Sequence, residues 1–138
     1  MRRYFTPYEA NQSLPFVREV VKDILKTGNE IRGLSEEPGG DFEHHPKFEE
    51  CMSRMNRFFK ELEAVGCSYR DWNFEMGLVD FPSYIDGREV FLCWRSDEPG
   101  LCYYHDLSSG YAGRKPIPAE LLEEEEVGME KHGVFSDA

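Results

Sequence analysis

A two-residue turn signal constrains the fold of this chain more than any other feature of its sequence. Asp86-Gly87 lies between two segments rich in apolar and aromatic residues, Leu78–Ile85 and Arg88–Arg95. Asp-Gly between two such segments is typical of a β-hairpin with a two-residue loop. With these residues as the loop, Ile85 pairs with Arg88, and the register of both strands follows.

This register divides the side chains of the hairpin between two faces, because side chains alternate along a strand. One face is apolar and is expected to pack on the core: Val79, Phe81, Ile85, Val90, Leu92 and Trp94. The other face is mixed in character: Asp80, Tyr84, Glu89, Phe91, Cys93 and Arg95. A second turn over 96–100 leads to a strand over 101–106, so the sequence predicts a three-stranded antiparallel meander.

Two helices are predicted before the sheet, over about residues 7–32 and 46–65. Thr6 and Glu9 have the spacing of a capping box at the start of the first helix. Pro15 predicts a break, with a short helix over 7–13 and a longer one that ends near Gly33.

The second predicted helix ends at Gly66, a residue type common just after a helix. Its apolar residues recur every three or four positions, as in a helix-packing seam: Phe48, Met52, Met55, Phe59 and Leu62. Phe58 lies outside this seam and is a candidate contact to a partner helix. Two long helices with apolar flanks predict an antiparallel hairpin that self-associates, and we expect a homodimer through the helices.

The predicted fold class is therefore α+β, a long antiparallel helical hairpin packed on a three-stranded antiparallel β-meander. We expect one domain over residues 1–118, followed by an acidic tail over 119–138. The four cysteines include no CxxC pair, which is typical of reduced thiols and of a cytoplasmic protein. No apolar run has the length of a membrane span, and no signal peptide is evident.

The charge of the chain excludes one broad class of function. The net charge is -11, from 16 basic and 27 acidic residues. Residues 1–117 carry 15 basic and 20 acidic residues, so more than half of the excess lies in the tail. This balance argues against a broad nucleic-acid or membrane surface, which needs clustered Lys and Arg. It leaves room for one locally positive pocket for a small anion, near Arg95 and Arg114.

Several segments follow a pattern seen in one protein family: 77–82 (GLVDFP), 86–95 (DGREVFLCWR), 98–99, 104–105 and 110–117 (GYAGRKPI). The sequence resembles the bacterial family catalogued as domain of unknown function 2203, from about residue 5 to residue 118. The resemblance implies a small cytosolic bacterial protein and carries no function with it.

Four residues form the candidate ligand site: Asp80, Arg95, His105 and Arg114. A carboxylate, guanidinium groups and an imidazole on one face suit a small anion or a proton transfer. The alternative is an Asp80–Arg95 ion pair that only holds the sheet together. His105 faces the core if Cys93 pairs with Cys102, and joins the polar face if Cys93 pairs with Tyr103.

No metal site, cofactor or catalytic residue is predicted. His44-His45 with Asp41 and Glu43 is more typical of a solvated loop than of a metal site, and no spacing in the chain supplies three or four zinc ligands. The 110–114 loop is more typical of a turn than of a phosphate loop. Cys93 is expected to be a buried thiol, although a Cys93–Cys102 disulfide fits the register in which Cys93 pairs with Cys102.

The function predicted from the sequence is a non-enzymatic interaction or the binding of a small polar or anionic ligand. The alternative is an enzyme, or a metal-dependent hydrolase-like activity, that uses an Asp80/His105 pair with Arg95 and Arg114. The binding function is favoured because the sequence has neither a recognisable nucleophile motif nor a cofactor loop.

Overall fold

The computed structural model describes residues 3–37, 39 and 42–123. Helix α1 spans Pro7–Ser35 and helix α2 spans Pro46–Val65. Glu30, in the last two turns of α1, forms an ion pair with Arg54, near the middle of α2, as neighbouring helices of an antiparallel hairpin can. A short 3-10 helix, Phe42–His44, precedes α2. The mixed α+β class is confirmed.

The helices are followed by one antiparallel sheet of five strands rather than the three expected. The strands are β1 (Ser68–Tyr69), β2 (Leu78–Ile85), β3 (Arg88–Arg95), β4 (Tyr103–Asp106) and β5 (Lys115–Pro116). They lie in the sheet in chain order. The expected meander therefore corresponds to β2, β3 and β4. Each edge of the sheet gains one strand of two residues, which is too short to show an alternation of apolar and polar residues in the sequence.

The hairpin register is the one that the turn predicts. Leu78 pairs with Arg95 at one end of β2 and β3, and Ile85 pairs with Arg88 at the other. Asp86 and Gly87 have φ values of 52° and 78°, as a type I′ turn requires.

The register between β3 and β4 decides the alternative that the sequence leaves open. Cys93 pairs with Tyr103, and Phe91 pairs with His105. His105 therefore lies on the same face as Asp80, opposite the apolar face of the sheet.

Helix α1 is continuous through Pro15, so the expected break is wrong. A proline removes one hydrogen bond of the helix, but Pro15 is exposed, and Leu14 and Val17 beside it are buried in the core. Packing of the apolar face offsets that loss. The helix also passes through Gly33 and ends two residues later.

The capping box at the start of α1 is confirmed. The Thr6 hydroxyl accepts a hydrogen bond from the Glu9 amide (3.2 Å), and the Glu9 carboxylate accepts one from the Thr6 amide (3.1 Å). Gly66 ends α2 in a left-handed conformation with φ of 111°, as expected.

The buried stripe of α2 differs from the predicted seam. Its buried residues are Cys51, Met55, Phe58 and Leu62. Met52 is exposed, and Phe58 belongs to the core of its own chain, so the expected contact of Phe58 with a partner helix is wrong. The buried stripe shares Met55 and Leu62 with the predicted seam, and Cys51 and Phe58 are buried in place of their neighbours Met52 and Phe59.

The core lies between the helices and the apolar face of the sheet. Its fully buried side chains include Val17, Val21 and Ile24 of α1 and Val79, Phe81, Leu92 and Trp94 of the sheet. Asn11 ties α1 to the segment before β4, because its side chain donates to the Leu101 carbonyl (3.1 Å) and accepts from the Leu101 amide (2.8 Å).

The apolar seams of the two helices are covered within the chain. Phe16 on α1 and Met52 on α2 stay exposed. The homodimer through the helices stays a prediction, and its contact would use such residues. Among the described residues, no helix has the length and apolar character of a membrane span.

The predicted acidic tail falls mostly outside the described residues. Residues 119–123 are helical, and Leu121 and Leu122 pack against the core. The rest of the glutamate run begins at residue 124, beyond the described part of the chain.

Two glycines give a matched test of this packing. A Cβ on Gly77 would lie 2.2 Å from Cγ1 of Val21, so we expect Gly77→Ala to lower the free energy of unfolding by about 1–3 kcal/mol. A Cβ on Gly33 meets no described neighbour within 4 Å, and Gly33→Ala is expected to raise it by about 0.5–1 kcal/mol. Urea denaturation measures both, and a stabilising Gly77→Ala would contradict the packing of α1 on the sheet.

Candidate functional site

A buried polar group lies on the face of the sheet opposite the apolar one. Asp80 of β2, Cys93 of β3 and His105 of β4 are 5%, 1% and 3% exposed. Asp80 and Cys93 are direct partners across the strands, and His105 is diagonal to Cys93. The three side chains come together because β3 pairs with both of its neighbours in this register.

Two basic side chains face the Asp80 carboxylate. Nε2 of His105 lies 3.2 Å from both Oδ1 and Oδ2, and Nε of Arg70 lies 3.2 Å from Oδ2. A buried carboxylate is costly unless it is paired and hydrogen-bonded. These contacts supply the pairing that burial of Asp80 demands.

Arg70 enters the site from the end of β1. Its amide donates to the Leu78 carbonyl (2.7 Å), which continues the β1–β2 pairing by one residue. Its side chain is 47% exposed, and its guanidinium lies 5.4 Å from the centroid of the Phe91 ring. Arg70 therefore contacts the buried Asp80–His105 pair on one side and solvent on the other.

Both ring nitrogens of His105 face oxygen atoms. Nδ1 lies 2.8 Å from the carbonyl oxygen of Asp106, and Nε2 faces Asp80. Because a carbonyl only accepts, Nδ1 carries a proton and donates it. The Asp80 carboxylate raises the pKa of His105, since it accepts a hydrogen bond from the charged ring, while burial acts in the opposite direction.

The Cys93 thiol lies beside this pair. Burial raises the pKa of Cys93 to about 12, and the nearby Asp80 carboxylate adds to the shift. The thiol of the unliganded site is therefore protonated at neutral pH and is a poor nucleophile.

A pocket of about 280 Å³ opens over these groups. It is lined by Arg70, Leu78, Asp80, Phe91, Cys93, His105, Leu107, Gly110 and Tyr111. Its polar groups converge among apolar and aromatic side chains, an arrangement common in sites for small molecules. The volume suits a ligand smaller than most drugs.

Arg95 and Arg114 do not line this pocket. Nε of Arg95 lies 2.5 Å from Asp97, and its guanidinium donates to the Tyr111 hydroxyl. Arg114 forms an ion pair with Glu98.

Arg114 also stacks on two rings of the pocket wall. Its guanidinium lies 4.1 Å from the Tyr103 ring centroid and 4.9 Å from that of Tyr111. The two arginines therefore hold Tyr111 in place rather than face a ligand. Of the four predicted residues, the structure brings Asp80 and His105 into direct contact.

Arg70 and Tyr111 are the functional candidates that sequence reasoning missed. Arg70 follows a two-residue strand without any hydrophobic pattern, so no local signal placed it near Asp80. Tyr111 lies in the 110–114 loop, which was predicted as a turn and contains a short 3-10 helix, Tyr111–Gly113.

Among the described residues, Asp80, Cys93 and His105 are the one group of three or more side chains with metal-ligating atoms close together. Their ligand atoms all lie within 4.8 Å of one another. The His44-His45 segment forms no such group there. His45 instead caps α2, where its Nδ1 accepts a hydrogen bond from the Lys47 amide (3.1 Å). Asp41 lies outside the described residues.

A family model described as "Uncharacterized conserved protein (DUF2203)" matches residues 3–117. The chain belongs to this family. The DUF2203 match includes both helices, all five strands and the residues that line the pocket. Neither the curated proteins nor the solved structures contain a match to the chain.

The cysteines give a test of the site's burial. Cys93 faces Tyr103 rather than Cys102, and all four thiols are free, with Cys102 alone exposed. The pKa values of Cys67 and Cys93 are raised to about 12 by burial. We expect one thiol of the native protein to react rapidly with a colorimetric disulfide reagent at about pH 8, and all four to react in urea.

The Cys102→Ser variant serves as the control for this measurement. It is expected to lose the rapid reaction of the exposed thiol and to keep the slow reaction of the three buried thiols. A rapid thiol that survives in Cys102→Ser would contradict the burial of the other cysteines.

Proposed function

We propose that this protein binds a small anion in the pocket formed around Arg70, Asp80 and His105, and that it performs no chemistry on that ligand. The observation that carries the proposal is the position of Arg70. Its guanidinium lies at the edge of a pocket of about 280 Å³, and Asp80 contacts its Nε. Within the described part of the chain, this contact leaves the two terminal NH2 groups of Arg70 for a ligand.

The balance of charge at the site supports an anion. Asp80 is the single carboxylate among the residues that line the pocket, and it faces both Arg70 and His105. A protonated His105 would face Asp80 together with Arg70, so two cationic groups would meet one anionic group and one positive charge would stay uncompensated. A guanidinium binds carboxylate and phosphate groups through several hydrogen bonds at once.

The same contacts favour binding over catalysis. Each nitrogen of His105 faces an oxygen atom of the protein, so neither is available to take a proton from a ligand. The Cys93 thiol is protonated, because its pKa is raised to about 12. The Tyr111 hydroxyl accepts a hydrogen bond from Arg95.

Thermal unfolding in the presence of small anions tests this function. The protein is treated with a chelator, dialysed, and titrated with inorganic phosphate, sulfate and short carboxylates. A ligand at about ten times its Kd adds ~1.4 kcal/mol to the free energy of unfolding. We expect at least one of these anions to raise the Tm by several degrees.

Variants of two arginines, Arg70 and Arg57, decide where the anion binds. Arg70→Ala is expected to abolish the rise in Tm, and Arg70→Lys to weaken it, because lysine keeps the charge but loses the planar fork. Arg57→Ala removes the same charge from an exposed position of α2 and is expected to keep the rise. An equal rise in Arg70→Ala and Arg57→Ala would refute the assignment of the anion to this pocket.

A further inference from the structure

We infer that Asp80, Cys93 and His105 form a binding site for a divalent metal ion of the zinc type. The three side chains project from adjacent strands on one face of the sheet, and each is more than nine-tenths buried. Their ligand atoms already lie within 4.8 Å of one another. The strand pairing therefore assembles a ligand set that spacing along the chain does not reveal.

The chemistry of the donor atoms selects the class of metal. A carboxylate oxygen, a cysteine sulfur and an imidazole nitrogen are the three ligand types that zinc accepts. Mg²⁺ and Ca²⁺ prefer sites made of oxygen atoms, so the sulfur of Cys93 argues against both.

The orientation of His105 is that of a metal-bound histidine. Such a residue donates its second ring N–H to a carbonyl or a carboxylate, which fixes the tautomer and the ring. Nδ1 of His105 does this to the Asp106 carbonyl and leaves Nε2 as the ligand atom.

The separation of the ligand atoms also fits. Nε2 lies 3.2 Å from each oxygen of Asp80. In a tetrahedral site with bonds of about 2.0 Å, ligand atoms lie about 3.3 Å apart. A metal ion between these groups would therefore need little movement of His105 or Asp80.

The charges balance when the ion binds. The Cys93 thiol loses its proton to solvent, and His105 binds as the neutral ring. A divalent cation, the Cys93 thiolate and the Asp80 carboxylate then sum to zero. Arg70, whose Nε lies 3.2 Å from Oδ2 of Asp80, fills the position of a second-shell partner.

Three protein ligands leave one position of a tetrahedral ion open. The pocket lies over the three side chains, so this position would take a water molecule or an added ligand. The inference goes beyond the proposed anion binding, because it needs only the three strand residues and not the terminal groups of Arg70.

Cobalt substitution tests the site in the full chain. Chelator-treated, dialysed protein is titrated with Co²⁺ in a buffer that lacks phosphate and carboxylates. We expect saturation at one ion per chain, intense visible bands of a four-coordinate ion, and a sulfur-to-cobalt charge-transfer band. Added Zn²⁺ should bleach all of them. A wild-type protein without the charge-transfer band would overturn the inference, whatever the variants do.

A pair of cysteine variants assigns the sulfur. Cys93→Ser is expected to lose the charge-transfer band and to weaken Co²⁺ binding at least about tenfold. Cys102→Ser makes the same change at an exposed cysteine and should keep both. Loss of the band in Cys102→Ser, or its retention in folded Cys93→Ser, would overturn the assignment.

A carboxylate pair keeps the test decisive if Cys93→Ser fails to fold. Asp80→Asn is expected to weaken Co²⁺ binding at least about tenfold, whereas Asp23→Asn, which makes the same change at an exposed position of α1, should bind as the wild type does. Equal binding by the two variants would overturn the site. Because the anion titration uses metal-free protein and the cobalt titration uses anion-free buffer, either can fail without the other.

Discussion

The site depends on the backbone of a two-residue turn. Asp86 and Gly87 both have positive φ, and this type I′ geometry sets the register of β2 against β3. A shift of one residue would carry Asp80 to the apolar face, because successive side chains alternate. It would place a carboxylate among the apolar side chains around Trp94, on the face opposite His105 and Arg70. The burial of the apolar face and the pairing of Asp80 thus select the same register.

The parts of the fold that sequence predicts are those that local chemistry determines. The Asp86-Gly87 turn, the Thr6 capping box and Gly66 each need only a few adjacent residues, and each is found as expected. Local chemistry narrows the pairing of β3 with β4 to two registers but does not choose between them. The loop between the two strands is held by Glu98, whose carboxylate accepts from the Arg95 amide and whose carbonyl accepts from the Trp94 indole. The sequence leaves both registers open, and these contacts accompany the one that the structure adopts.

The features that the sequence does not reveal depend on distant parts of the chain. Helix α1 passes through Pro15 because its apolar face packs on the sheet, a gain that a local rule does not count. Strands of two residues have no alternation, so β1 and β5 leave no pattern. Because β1 cannot be predicted from the sequence, the contact of Arg70 with Asp80 cannot be predicted either. Arg70 reaches Asp80 only through the pairing of β1 with β2. The Asp80–His105 half of the site was predictable, and the residue that opens it to solvent was not.

The position between Nε2 of His105 and the Asp80 carboxylate requires positive charge. Nδ1 must donate to the Asp106 carbonyl, so a neutral ring would turn its lone pair towards two carboxylate oxygens. A second proton on the ring removes this conflict, and so does a metal ion that also recruits the Cys93 thiolate. The net charge is the same with a doubly protonated His105 and with a bound divalent ion. In both states the charges of the buried groups sum to zero, and the positive charge of Arg70 remains at the edge of the pocket. Under the proposed function, the pocket would present the same single positive charge to an anion in both states, so anion binding and metal binding can be tested separately.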